Sequence, residues 1–300
     1  MTLGTPITTE EMHLNKPKCY IGLAQWNHSA WSDGPLAGNM PRHALGRYSR
    51  YFSTVEGNTT FYGLPEAHTV QEWYQQTPEY FRFCFKLPKT ITHELSLRHC
   101  EAELNEVLQR LSALQEKLGL VCIQLPDSFS PDEMDTLEQF LRNLPKELNY
   151  GIEVRHLGFY QKDDTERRFN ALLMEQGINR IQFDTRALFN NPTPDAETQD
   201  ALSAKPKVPL HVIATGQSPM VRFITARDWQ GTLNYLDPWL NKISQWLQEG
   251  RTPFVFLHTP SNTHAPEVAE YFAEQLNKQI AGSALFSHWP KPQKDQSSLF

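Results

Sequence analysis

The chain is short of the features that usually announce a cofactor or a compartment. Glycine is scarce, 15 in 300 residues, and no GxGxxG turn or Walker A loop is present. That argues against the nucleotide cofactors held by those loops. Four cysteines (Cys19, Cys84, Cys100, Cys122) are scattered without CxxC or finger spacing. This excludes a disulfide scaffold and fits reduced thiols in a cytoplasmic protein. No window of about 18 apolar residues exists to cross a membrane, and residues 1–18 lack the apolar core of a signal peptide. Basic residues are outnumbered, 28 against 34 acidic, a net charge of −6. A generic basic coat for nucleic acid is therefore disfavoured, although a local basic cleft is not excluded. No internal repeat is visible.

What is present is a regular alternation. After a polar N-terminal extension (residues 1–18), eight β-rich runs recur: Tyr20–Gln25, Thr54–Asn58, Phe81–Lys86, Leu120–Leu125, Tyr150–Val154, Arg180–Asp184, Met220–Ile224 and Phe254–His258. Several are continuous apolar runs, such as Val121-Cys122-Ile123, as expected of strands buried on both faces. Helical periods lie between them. Ser130-Pro131-Asp132-Glu133 reads as an N-cap, an N1 proline and a capping-box glutamate, with Met134, Leu137, Leu141 and Leu144 on one face. Leu104, Leu108, Leu111, Leu114 and Leu118 form a second stripe, with Gly119 predicted at its C′ position. Asp237-Pro238 opens a third helix, closed by Gly250. Weaker helical periods cover 66–76, 166–176 and 265–278. The segment 186–218 is irregular, with a short extra strand suggested at Pro209–Ile213.

This order predicts an α/β protein, a single-domain TIM-type (β/α)8 barrel over residues 19–282, with an extended tail from 283 to 300. An open doubly wound sheet is the alternative. In a barrel, chemistry gathers where strands end at the C-terminal face. The polar residues at those ends are Gln25 and Trp26, Glu56 and Asn58, Lys86, Gln124, Glu153 and Arg155, Asp184, Arg222 and His258. His93, in the Thr92-His93-Glu94 loop after strand three, joins the mouth. Glu56, Lys86, Glu153 and Asp184 are the candidate catalytic residues. Gln25, Trp26, Asn58, His93, Gln124, Arg155, Arg222 and His258 are the candidate ligand contacts.

Two readings stay open. Charges inside a barrel are costly unless paired, so Glu56, Glu153 and Asp184 could simply neutralise Lys86, Arg155 and Arg222 in a structural network. Alternatively, arginines clamp a small anionic or phosphate-containing substrate while a carboxylate moves protons, a hydrolase- or lyase-like enzyme. Lys86 could instead form a Schiff base if burial lowered its pKa. A divalent metal on Glu56, Glu153, Asp184 and His258 is opposed by three nearby cations, and no metal is predicted. No cofactor is identified. Phe81, Phe83 and Phe85 alternate as an apolar packing face.

Val55-Glu56-Gly57-Asn58-Thr59-Thr60-Phe61-Tyr62 resembles the VExNxTFY signature of the YecE-like proteins, domain of unknown function 72. So do Phe83-Cys84-Phe85-Lys86-Leu87-Pro88 followed by Ile91-Thr92-His93, Gln124-Leu125-Pro126, Glu153-Val154-Arg155-His156, Val221-Arg222-Phe223 and the Gly22…Gln25-Trp26 opening. The resemblance runs from about Tyr20 to the C-terminus and implies a TIM-type barrel. It implies no catalytic roles, because no activity attaches to the family name. The last strand departs from the pattern: it reads Phe256-Leu257-His258-Thr259-Pro260, where many members have a Phe-Asn-Asn type sequence.

The tail ends in Gln296-Ser297-Ser298-Leu299-Phe300. Gln296, Leu299 and Phe300 are similar to the pentapeptide that bacterial replication and repair proteins insert into the sliding clamp, with Leu and Phe as apolar anchors. Folding of the pair back onto the barrel is the plainer alternative. A second function follows from the clamp reading: a DNA-maintenance accessory or nuclease-like protein. It would be supported by a basic rim from Lys89, Arg98, Lys205, Lys207 and Arg227.

Overall fold

The computed structural model describes residues 18–31, 36 and 43–284. The N-terminal extension up to residue 17 and residues 285–300, including Gln296, Leu299 and Phe300, lie outside the described residues.

The strands are β1 (Tyr20–Leu23), β2 (Thr54–Gly57), β3 (Arg82–Lys86), β4 (Leu118–Gln124), β5 (Tyr150–Glu153), β6 (Asn179–Arg180), β7 (Gln182–Asp184), β8 (Met220–Ile224) and β9 (Phe254–His258). All pair in parallel, in the order β6-β5-β4-β3-β2-β1-β9-β8-β7. Only Ile181 separates β6 from β7, so the two are halves of the sixth of the eight expected strands. β6 pairs with β5 and β7 with β8. The ring of a TIM-like barrel therefore closes through the chain itself.

Side chains complete the seam. Arg180 N donates to Thr215 Oγ1 at 2.7 Å, Ser218 N to Asn179 Oδ1 at 2.8 Å, and Gln182 Nε2 to the Ile213 carbonyl at 2.8 Å. These bonds satisfy backbone groups that a neighbouring strand would otherwise take. The expected strand at Pro209–Ile213 does not form. That segment is held from the side instead: His211 Nδ1 lies 2.7 Å from Glu166 Oε1, and Glu166 accepts from buried Arg180.

Helices α1 (Ala44–Tyr48), α2 (Thr59–Tyr62), α3 (Ala67–Gln76), α4 (Glu101–Leu111), α5 (Met134–Arg142), α6 (Asp164–Gln176), α7 (Arg186–Asn190), α8 (Ala196–Ala204) and α9 (Asp237–Gln248) run between the strands, and α10 (Ala265–Gln279) follows the last of them. The capping box before α5 forms as the sequence predicts: Asp132 N donates to Ser130 Oγ, and Ser130 N donates to Glu133 Oε2. Gly250, after α9, takes a positive φ of 79°. Gly119 does not cap the leucine stripe. The α-helix ends at Leu111, a tighter turn follows to Lys117, and Gly119 sits inside β4 with Arg82 and Phe254 against it.

The pleat sorts the strand residues into two faces. Phe81, Phe83 and Phe85 point out of the barrel, where Trp73 of α3 stacks on Phe85 at 5.2 Å. The inward set fills the barrel in layers. At the N-terminal end, Tyr20 stacks on Phe254 at 4.7 Å under the Arg82 guanidinium. Cys84, Leu120, Cys122, Ile181, Met220 and Phe256 form an apolar middle. Above it the same alternation delivers Glu56, Lys86, Gln124, Glu153, Phe183, Arg222 and His258 to the C-terminal mouth. The apolar layer thus keeps the polar one at the open end.

Gly22 lets β1 and β2 close up. A Cβ there would fall 2.0 Å from the Thr54 carbonyl oxygen, a backbone atom with no room to retreat. Gly22→Ala is expected to destabilise the barrel by about 1–3 kcal/mol or more. A denaturant midpoint equal to that of the parent would contradict this.

Candidate functional site

The mouth is organised around Arg222, which is buried at the inward position of β8. Its Nε donates to Glu56 Oε2 at 2.8 Å and its Nη2 lies 2.7 Å from Oε1, an ion pair across the barrel to β2. Its Nη1 bonds Glu153 of β5. From these two carboxylates the chain of charge continues outward. Lys86 Nζ lies 3.5 Å from Glu56 Oε1, and Arg155 Nε donates to Glu153 Oε1 at 2.7 Å. The network therefore reads Lys86–Glu56–Arg222–Glu153–Arg155.

Three cations face two carboxylates, which leaves one positive charge. Lys205, from the loop after α8, and Lys89 line the same cavity and add two more. The cavity holds about 490 Å³. A second cavity of about 620 Å³ adjoins it, and His93, Arg155 and Lys205 line both. Lys207 and Asp127 line the outer chamber.

The protonation states follow from burial and charge. Burial opposes the Glu56 anion, yet the Arg222 and Lys86 charges outweigh it and hold the carboxyl down at about 2. Burial pushes Lys86 down to about 8, only partly offset by Glu56 and reinforced by Arg222 and Arg155. Burial, then the Lys205 charge, drives His258 down to about 3, so its imidazole is neutral. Burial also lowers Lys205, Arg155 and His93 from their ordinary values.

Among the described residues, both ring nitrogens of His258 and the Gln124 side-chain oxygen are buried without a hydrogen-bond partner. Both residues are more than nine-tenths buried and line the inner cavity. Native interiors rarely leave such atoms unsatisfied.

Most of the residues expected from the strand ends meet here: Gln25, Glu56, Asn58, Lys86, His93, Gln124, Glu153, Arg155, Arg222 and His258 all line the inner cavity. Asn58 Nδ2 donates to the Ala24 carbonyl at 3.1 Å, and His93 Nδ1 lies 2.9 Å from Thr92 Oγ1. Two residues do not join. Trp26 packs edge-on against Trp73 at 5.5 Å. Asp184 lies on the opposite face of its strand, fully buried, bound by Arg186 through Nε and Nη2 and by Trp239 Nε1 at 2.8 Å. The inward residue is its neighbour Phe183, whose ring lies 5.9 Å from the Arg222 guanidinium.

Lys205 and Phe61 were not among the strand-end candidates. Lys205 sits in an irregular loop, and Phe61 lies on α2 with Lys86 Nζ 5.8 Å from its ring centre. Of the five cations of the expected rim, Lys89, Lys205 and Lys207 line the two cavities. Arg98 and Arg227 instead pair with Glu133 and Asp195. Among the described residues no group of three His, Cys, Asp or Glu side chains has a metal cage's arrangement, and no helix is long and apolar enough to cross a membrane.

A parallel barrel with a charged cleft at its C-terminal face defines the class. The chain belongs to the DUF72 family, described as a protein family of unknown function, whose model matches residues 20–294. It is 40% identical over 281 residues to the UPF0759 protein YecE of Escherichia coli K12, covering 94% of this chain and 99% of that one. The YecE of Escherichia coli O157:H7 matches to the same extent. Among solved structures, a DUF72 family protein from Enterococcus faecalis V583 superposes with a TM-score of 0.63 at 19% identity, covering 92% of this chain and 99% of the other. A DUF72 family protein from Thermotoga maritima MSB8 gives 0.62 at 18%, covering 87% and 97%. At these identities the structures establish the fold.

Removing Arg222 would leave two buried carboxylates with only Lys86, at 3.5 Å from Glu56, and Arg155, at 2.7 Å from Glu153, to balance them. Arg222→Met is expected to cost about 3–5 kcal/mol at neutral pH. The sign of its pH dependence is specific. In the parent, the stabilisation from ionised Glu56 is present above the ordinary carboxylate range and is lost only as pH falls through about 2. In the variant burial raises that carboxyl, so acid relieves the penalty. The gap between variant and parent should narrow from pH 7 to pH 4 in paired denaturation curves. A gap that is constant across that range would remove Glu56 from the account.

Proposed function

We propose that the cleft is the site of an enzyme acting on a small metabolite that carries a carboxylate or phosphate group. The observation that carries this reading is the coincidence, in one cavity, of unneutralised positive charge with the unpartnered polar atoms of His258 and Gln124.

The roles follow from what each group is free to do. Arg222 is spent on Glu56 and Glu153, so it orients the site rather than gripping the ligand. Arg155 uses its Nε on Glu153 and has terminal nitrogens to offer; with Lys205 it forms the anion-binding edge between the two chambers. His258 and Gln124 supply hydrogen bonds from the floor. Glu56, held ionised down to about 2, is a poor proton carrier near neutrality and serves as a fixed counter-charge. Lys86, with its pKa brought to about 8, is the group poised to exchange a proton or share an electron pair.

Calorimetric titration with inorganic phosphate and with a small dicarboxylate tests the reading. Binding that weakens with added salt is expected. Arg155→Gln, and separately Lys205→Gln, should each reduce affinity about tenfold, the scale of one charge-assisted hydrogen bond. If neither anion binds the parent protein, the reading fails.

A further inference from the structure

Lys117 is buried in this barrel and Lys86 is mostly so, and the two are used in opposite ways. Lys117, 4% exposed, is fully committed: its Nζ donates to the carbonyls of Tyr74 and Thr77 at 2.6 Å each, over the Tyr74 ring at 4.2 Å. It ties the turn after α4 to the end of α3 and faces neither chamber of the cleft. Lys86 has no such anchorage. Among the described residues its one ion-pair contact is the 3.5 Å approach to Glu56 Oε1, a carboxylate already paired with Arg222. Its amine stands over the edge of the apolar layer, beside the Phe61 ring, and opens into the inner cavity. The other charged and titratable groups that line this cavity are Arg222, Glu153, Arg155, Lys205, Lys89, Tyr62, His93 and His258. All but Glu153 are cationic or neutral, and this surrounding is hostile to an ammonium ion.

We infer that Lys86 is a nucleophilic amine that forms an imine with the carbonyl group of an aldehyde or ketone whose anionic end is held by Arg155 and Lys205. This rests on the anion-site reading above and names its substrate class. The step balances without an external reagent. The Nζ lone pair attacks the carbonyl carbon, and the C=O π pair moves to oxygen, which takes a proton. The nitrogen gives up its protons, the hydroxyl leaves as water, and the nitrogen lone pair completes the C=N bond. Nothing is oxidised or reduced. Protonated, the imine restores the positive charge beside Glu56 and becomes an electron sink for bond breaking at the neighbouring carbon. With a pKa of about 8, roughly a tenth of Lys86 is the free amine at pH 7, against a few parts in ten thousand for an exposed lysine.

The test is reductive trapping on the full chain. The probes are glyoxylate, an aldehyde bearing a carboxylate, glycolaldehyde phosphate, its phosphate counterpart, and glycolaldehyde, which is neutral. Borohydride delivers hydride to the imine carbon and fixes the adduct as a secondary amine, located by peptide mass spectrometry. Lys86 should be labelled at least tenfold faster at pH 7 than any other lysine, and Lys117 not at all. The rate should level off above about pH 8, and Lys86→Arg, which keeps the charge, should abolish the adduct. An anionic probe should react faster than glycolaldehyde and be slowed by inorganic phosphate. Whichever of the two anionic probes reacts faster separates a carboxylate site from a phosphate site.

The outcomes are distinguishable. Calorimetric binding of phosphate with labels spread over exposed lysines overturns the nucleophile and leaves the anion site standing. Rapid labelling of Lys86 by glycolaldehyde, with no preference for either anionic probe and no protection by phosphate, overturns the anionic end of the inference and the reading beneath it. No binding and no selective label overturns both.

Discussion

Everything at the mouth of this barrel depends on Arg222 holding two carboxylates from opposite sides of the ring. The guanidinium is planar, permanently charged and forked, which suits it to two carboxylate partners at once. A lysine at the same position would offer a point charge and no fork. Through Glu56 it reaches β2, and through Glu153 it reaches β5. One side chain of β8 thus couples strands that are not its neighbours in the sheet. Buried ion pairs seldom add net stability over an apolar core of equal volume. What this pair supplies is a fixed arrangement of charge on top of an apolar layer, with the directions of both carboxylates determined.

From that arrangement the behaviour of the remaining groups follows. Glu56 is prevented from titrating near neutrality because its anion is worth more to Arg222 than burial takes away. Lys86 is pushed the other way because burial disfavours its ammonium ion, an effect that Glu56 only partly offsets and that Arg222 and Arg155 reinforce. His258 stays neutral because burial, and after it the Lys205 charge, disfavours its imidazolium. The environments therefore drive an acid and a base apart: a carboxylate fixed as an anion, and an amine brought toward its neutral form. Divergence of this kind is a hallmark of sites built for chemistry, although structural networks can produce it too. Beside this network the nitrogens of His258 and the Gln124 oxygen stay unpartnered among the described residues.

The fold was legible because its strands announce themselves. Runs such as Val121-Cys122-Ile123 are apolar on both faces, as only a strand between a helix layer and a barrel interior needs to be. The site was legible for the same reason: in a parallel barrel the ends of such runs must converge, so Glu56, Lys86, Gln124, Glu153, Arg222 and His258 could be named before any contact was known. Asp184 shows where that reasoning stops. A strand end marks the height of a residue, whereas its face is set by register, and one step along the chain reverses it. Phe183 took the inward position, and Asp184 went to Arg186 and Trp239. Lys205 was out of reach for another reason. It belongs to the loop after α8, where no periodicity fixes direction, and only the assembled barrel brings it to the mouth.

The placement of charge also bears on how a ligand arrives. The whole chain carries −6, yet its cleft carries a positive excess. At physiological ionic strength charges are felt over roughly 8 Å, so the acidic surface repels an anion only weakly until it nears the mouth. Inside, the low-dielectric walls of the apolar layer concentrate the field of Lys86, Arg155 and Lys205. An anion small enough to enter a cavity of about 490 Å³ exchanges a mildly repulsive surface for a strongly attractive floor. A nucleic acid strand would gain those few contacts while laying many phosphates along an acidic exterior. On the reading proposed above, the charge pattern that would draw in a small anion weighs against a long one, and this asymmetry, more than any single residue, favours metabolite-sized ligands.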